Sequence, residues 1–149
     1  MRRAALPAAV LLLCVPGAAW AKVTCTVSAT PVAFGTFNPF GSAVTTTGTI
    51  RVACTKGSST GTYTIALSTG NSGNYAQRQT STTAPYLNYN LYTASNYSSI
   101  WGDGTGGSVT VTGTNTRTTK NYTVYGKLPT PQGVTPNPYS DSITVTVTY

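Results

Sequence analysis

The chain has 149 residues, 40% hydrophobic and 7% charged, with nine basic residues against two acidic ones and neither histidine nor glutamate. That is one domain's length, and it removes a His-based triad, a histidine zinc site, a Glu/Glu glycosidase pair and an EF-hand, each of which needs an absent residue type. Asp103 and Asp141 stand 38 positions apart with no local support for an acid/base pair, so no catalytic residues, cofactor or metal site are expected. The basic residues are scattered, which suits solubility better than nucleic-acid binding.

Residues 1–21 read as an export signal. Arg2 and Arg3 supply the positive end, Ala4 to Val15 an apolar stretch broken by Pro7, and Ala19-Trp20-Ala21 a small-x-small site with cleavage expected after Ala21. A retained transmembrane segment is not expected, because the stretch falls short of about 20 apolar residues and ends in Pro16-Gly17. A lipoprotein signal at Cys14 would want a small residue where Leu13 stands. The expected mature chain, 22–149, is a single domain with net charge +5 and two cysteines, Cys25 and Cys54. In an exported chain such a pair reads as one structural disulfide, with two free thiols or a metal pair as the alternatives.

Thirty threonines and ten tyrosines in that stretch, with long tracts of period two, indicate an all-β chain. Val23, Cys25 and Val27 share one face of the first strand, which Pro31 ends; Val32 and Phe34 begin a short apolar return. Thr47 to Thr55 turns Ile50, Val52 and Cys54 inward, so both cysteines fall on inner faces. Thr62 to Ser68 does the same with Tyr63, Ile65 and Leu67. A long polar connection from Thr69 to Pro85 is expected to carry a helical turn around Ala76 to Gln79.

Tyr86 to Tyr92 turns Leu87, Tyr89 and Leu91 inward and Tyr86, Asn88, Asn90 and Tyr92 outward. With Tyr97 and Trp101, the outward tyrosines form a candidate ligand surface, against the plainer readings of cross-strand packing and, for Trp101, a core anchor. The run Gly102 to Gly107 satisfies G-x-G-x-x-G, but a strand-like Ser108 to Val111 follows where a dinucleotide site needs a helix, so it reads as a glycine turn. Asn121 to Leu128 and Ser142 to Tyr149 complete the series, the last with Ile143, Val145, Val147 and Tyr149 on one face. Seven or eight short strands indicate an immunoglobulin-like β-sandwich, with a small barrel as the alternative.

Cys25-Thr26-Val27-Ser28-Ala29, Val32 to Phe37 and Val52-Ala53-Cys54 resemble the opening of the spore coat protein U domain family. The resemblance continues through Tyr63 to Ser68, Leu87 to Tyr92, Trp101 to Gly104, Tyr122 to Gly126 and Tyr139 to Tyr149, in order along the whole expected mature chain. It implies a bacterial secreted protein similar to subunits and tip adhesins of archaic chaperone-usher pili, with an incomplete sandwich lacking one strand. In such proteins a periplasmic chaperone lends that strand, an outer-membrane usher handles assembly, and the next pilin-like subunit finally supplies it, by β-strand addition. By the same resemblance Cys25 and Cys54 are bridged, and the C-terminal strand with Ile143, Val145, Val147 and Tyr149 borders the acceptor groove.

One feature departs from the family pattern. Only Lys22, Val23 and Thr24 separate the expected cleavage site from Cys25, a reach of about 10 Å, too short to fill a neighbour's groove. Such a chain suits a fibre end or a coat role; a start codon placed too far downstream is the third reading. The expected function is thus a non-enzymatic subunit of a secreted surface fibre or coat. A soluble carbohydrate- or surface-binding module using the aromatic residues above is the alternative.

Overall fold

The computed structural model describes residues 23–55, 61–81, 83–115 and 118–149, so the expected export signal lies outside it. Among these residues the chain forms eight strands: β1 (Cys25–Thr30), β2 (Val44–Cys54), β3 (Thr62–Leu67), β4 (Arg78–Gln79), β5 (Asn88–Tyr92), β6 (Val111–Thr114), β7 (Thr119–Leu128) and β8 (Val145–Thr148). Threonine, valine and tyrosine dominate them because branched and aromatic side chains fit a pleated, half-buried surface.

The strands form two sheets, ordered β1-β2-β7-β5-β4 and β6-β3-β8, and every ladder is antiparallel. An immunoglobulin sandwich places its first, second, fifth and fourth strands in one sheet and its third, sixth and seventh in the other. Here β1, β2, β7 and β5 occupy the first set, β3 and β8 the third and sixth positions. No described strand occupies the place beyond β8 that the seventh would take. The fold is therefore an incomplete immunoglobulin-like sandwich.

Alternation decides the core. Ile50, Val52, Tyr63, Ile65, Leu67, Leu87, Tyr89, Leu91, Val124 and Leu128 are buried at the positions where period two turns them inward. Across the sandwich the hydroxyls of Tyr63 on β3 and Tyr122 on β7 lie 2.7 Å apart, so each polar tip has a partner inside the apolar layer. Cys25 and Cys54 face each other in the β1–β2 register and are bonded, with Cα atoms 4.0 Å apart. The bond staples two neighbouring strands of one sheet.

Two glycines let the chain fold back over the large sheet. A Cβ on Gly48 would lie 2.8 Å from both Thr30 O and Val32 Cγ2, and one on Gly126 would overlap Val32 Cγ1 and reach within 2.9 Å of Phe34 Cζ. The return after Pro31 thus seats Val32 and Phe34 in notches that only glycine leaves open.

The long connection differs from the helical turn expected at Ala76 to Gln79. Its helical turn is a 3-10 turn at Gly70–Ser72, while Arg78 and Gln79 pair with Tyr89 and Asn88 as β4. Arg78 is the cause. Its guanidinium is fully buried and donates to Ser68 O, Trp101 O and Asn90 Oδ1, which requires an extended backbone pressed on β5.

Asn90, expected on the outer face, is 5% exposed because the same connection covers it; its Nδ2 donates to Tyr75 O and Ala76 O. Trp101 is likewise removed from the surface. It is 1% exposed, and its Nε1–H donates to Ile65 O, so it anchors the core and cannot serve as a ligand platform.

Candidate functional site: an open groove beside the last strand

The open side of the sandwich holds a cavity of about 600 Å³. One wall is the end of β1 and the return, residues 29–35; the other is 137–145, leading into β8. Inward residues of the large sheet (Val44, Ile50, Leu91, Val124 and Leu128), with Leu87 just before β5, make an apolar floor.

The backbone of the second wall is polarised by its pairing with β3. Ser68 N–H donates to Thr144 O and Thr144 N–H to Ser68 Oγ, so Thr144 turns its peptide groups toward β3. Hydrogen bonding alternates along an antiparallel pair, so Thr146 and Thr148 do the same. Ile143, Val145 and Val147 therefore present their N–H and C=O groups to the free edge while their side chains point inward. Across the groove, the described residues Val32 to Phe37 make no backbone hydrogen bond with any other segment. The groove thus pairs apolar side chains with the free edge of β8 on one wall and unpaired backbone on the other, the combination that one added strand satisfies.

One end of the groove is polar. Asp141 lines it, and its carboxylate accepts hydrogen bonds from Tyr89 Oη–H at 2.6 Å, Asn71 N at 3.1 Å and Ser142 N at 2.7 Å. Burial, together with the bond to Asp141, holds the Tyr89 phenol far above its ordinary value, so it stays a donor at any physiological pH. Gly70, at φ +64°, makes room for this carboxylate, which a Cβ there would strike. Asp103 is held elsewhere, accepting from Thr105 N and Oγ1 in an exposed turn. The structure does not bring the two aspartates into one cluster, and no group of three metal-ligating residues occurs among the described residues.

Of the four groove residues expected from sequence, Ile143 and Val145 line the cavity. Val147 lies farther along β8 opposite Ile65, and Tyr149 follows the strand's last residue and is 55% exposed. Of the expected aromatic surface, Tyr92 and Tyr97 meet edge to face at 5.4 Å, with Lys127 Nζ 5.3 Å from the Tyr97 ring centre. Tyr86 stands at the far end of β5 beside Pro131 to Val134, apart from that pair. Sequence reasoning missed the opposite wall, Asp141 as a groove residue and Arg78. The alternation of Val32 and Phe34 after Pro31 was the available signal for the wall; nothing local marks the other two.

The Spore Coat Protein U domain profile matches residues 11–146, and the chain belongs to that family. Among solved structures it is similar to a chain in the crystal structure of the CsuC–CsuE chaperone–tip adhesion subunit pre-assembly complex from archaic chaperone-usher Csu pili of Acinetobacter baumannii. That likeness has a TM-score of 0.59 at 23% identity and covers 85% of this chain; this chain spans 40% of the other's length. It is a likeness of fold. No curated protein matches the chain.

Proposed function

We propose that this member of the Spore Coat Protein U domain family is a non-enzymatic structural subunit of a secreted surface fibre or coat, and that its groove accepts a β-strand from a periplasmic chaperone or a neighbouring pilin-like subunit. The observation that carries this reading is the groove itself, apolar inside and bordered by the free edge of β8. Residues 1–21 would direct export with cleavage after Ala21, an outer-membrane usher would pass the subunit on, and the product would reside at the cell surface. The resemblance of the solved pre-assembly complex in fold supports the same reading.

The test is co-expression with a periplasmic chaperone of an archaic chaperone-usher system, followed by donor-peptide exchange on the purified complex. A ligand that binds only the native form raises apparent stability by mass action, so a matching peptide should raise the melting temperature in proportion to its occupancy. A stable monomer that ignores chaperone and every peptide would overturn the proposal. The second reading, a soluble carbohydrate- or surface-binding module, has the Tyr92–Tyr97–Lys127 cluster as its supporting observation. Saturable binding in a glycan screen, lost on Tyr97→Ala, would favour it.

A further inference from the structure

We propose that the groove reads charge as well as shape: Asp141 receives a basic side chain of the incoming strand and thereby sets that strand's register. This rests on the reading of the groove as a strand acceptor. The period-two register of the wall carries the argument. Ile143 and Val145 point inward, and two positions before Ile143 the same register puts Asp141 on the same side, where it reaches the inward-facing Tyr89. A strand pairing with this edge therefore sets successive inward residues level with Val145, Ile143 and Asp141. The first two positions ask for apolar side chains. The third meets a carboxylate.

That carboxylate is prepared for a cation. An ionised carboxylate offers about four acceptor directions, and three are filled: Asn71 N and Ser142 N on Oδ1, the Tyr89 hydroxyl on Oδ2. All three donors are neutral, so they fix the group's orientation without cancelling its charge. The remaining direction belongs to Oδ2, in a groove otherwise walled by apolar and neutral residues. Arg78 acts on Asp141 through space but spends its N–H groups on Ser68 O, Trp101 O and Asn90 Oδ1. The occupant is therefore an extended segment with alternating apolar residues and, two positions beyond the apolar residue that faces Ile143, a lysine or arginine. A charge-assisted hydrogen bond in a partly dry site is stronger than a neutral one, and it penalises a carboxylate in the same place.

The experiment uses the chaperone-bound subunit and a set of synthetic peptides of alternating valine and threonine. Each carries Lys, Gln or Glu at the position level with Asp141, made in both chain directions because either can pair with the edge. In the favoured direction the Lys peptide should bind about tenfold or more tighter than the Glu peptide, with Gln between and the spread shrinking in high salt. In Asp141→Asn the Lys-to-Glu ratio should fall to about one while the Gln peptide still binds. Binding of all three peptides with equal affinity to the unaltered subunit would overturn the charge reading alone, as would a ratio that survives Asp141→Asn. Failure of every peptide, whatever its charge, would overturn it together with the strand-acceptor reading. Should Asp141→Asn not fold, Tyr89→Phe keeps the carboxylate and frees an acceptor site, so the preference for Lys should persist or grow, and its loss would overturn the proposal.

Discussion

The guanidinium of Arg78, fully buried, donates to Asn90 Oδ1 at 2.6 Å, and the same Asn90 side chain donates in turn to Tyr75 O and Ala76 O. This pair closes the long connection between β3 and β5 onto the sandwich. Arg78 also takes the carbonyls of Ser68 and Trp101, so one side chain joins both ends of that connection to the Trp101 anchor. Such a charge, held by neutral acceptors, is tolerable only because nearly every N–H is satisfied.

Arg78→Met should therefore destabilise the domain by about 3 kcal/mol or more, since it leaves the buried Trp101 O and Asn90 Oδ1 and the partly buried Ser68 O without their donor. Arg78→Lys should recover little, because an ammonium cannot span the same three acceptors. Urea unfolding of the chaperone-released or peptide-complemented subunit measures both.

Removing the bridge with Cys25→Ser and Cys54→Ser should cost roughly 3 to 4 kcal/mol on the chain-entropy relation for a loop of this length. Intact mass under non-reducing conditions checks the bond directly, and the yield of exported protein reports the cost.

Gly126→Val should expel the return that packs over the large sheet, because its side chain would occupy the place of Val32 and Phe34. We expect a loss of about 1–3 kcal/mol, read by urea unfolding of the peptide-complemented subunit.

A charge on the groove face should act differently from one on the outer face of the same strand. Val145→Lys places an ammonium opposite Leu67 and should abolish stabilisation by donor peptides, whereas Thr146→Lys, on the exposed face, should leave it intact. The readout is the peptide-induced shift in melting temperature.

Alkaline pH should unfold the domain through Tyr63. Burial, with the Tyr122 hydroxyl second, raises its folded-state pKa above the ordinary 10.0. A raised folded-state value means that the unfolded chain releases its proton first, so this contribution is complete below pH 10 and declines as pH rises above it. Melts between pH 8 and 11 should show that decline, and Tyr63→Phe should reduce it without abolishing it, because buried Tyr89 is raised in the same way and contributes its own share.

Much of this protein was legible in its sequence, because alternation is a local property. Tyr63, Ile65 and Leu67 are buried because every second residue of a strand shares a face, whatever the strand pairs with, and the same holds for Ile50 and Val52. The inward placement of both cysteines follows from the same rule. What period two cannot say is which edge stays open, since that depends on the order in which strands assemble: β8 borders a groove because, among the described strands, only β3 lies beside it. The core-anchor reading of Trp101 holds, but nothing in sequence marks Arg78 as buried, and the partners that satisfy both side chains lie 10 to 36 residues away. Nothing local in the sequence marks Asp141, and only its contact with Tyr89, 52 positions earlier, makes it part of the groove. The faces of the strands were set by short-range chemistry, and the site by contacts that exist only once distant segments have met.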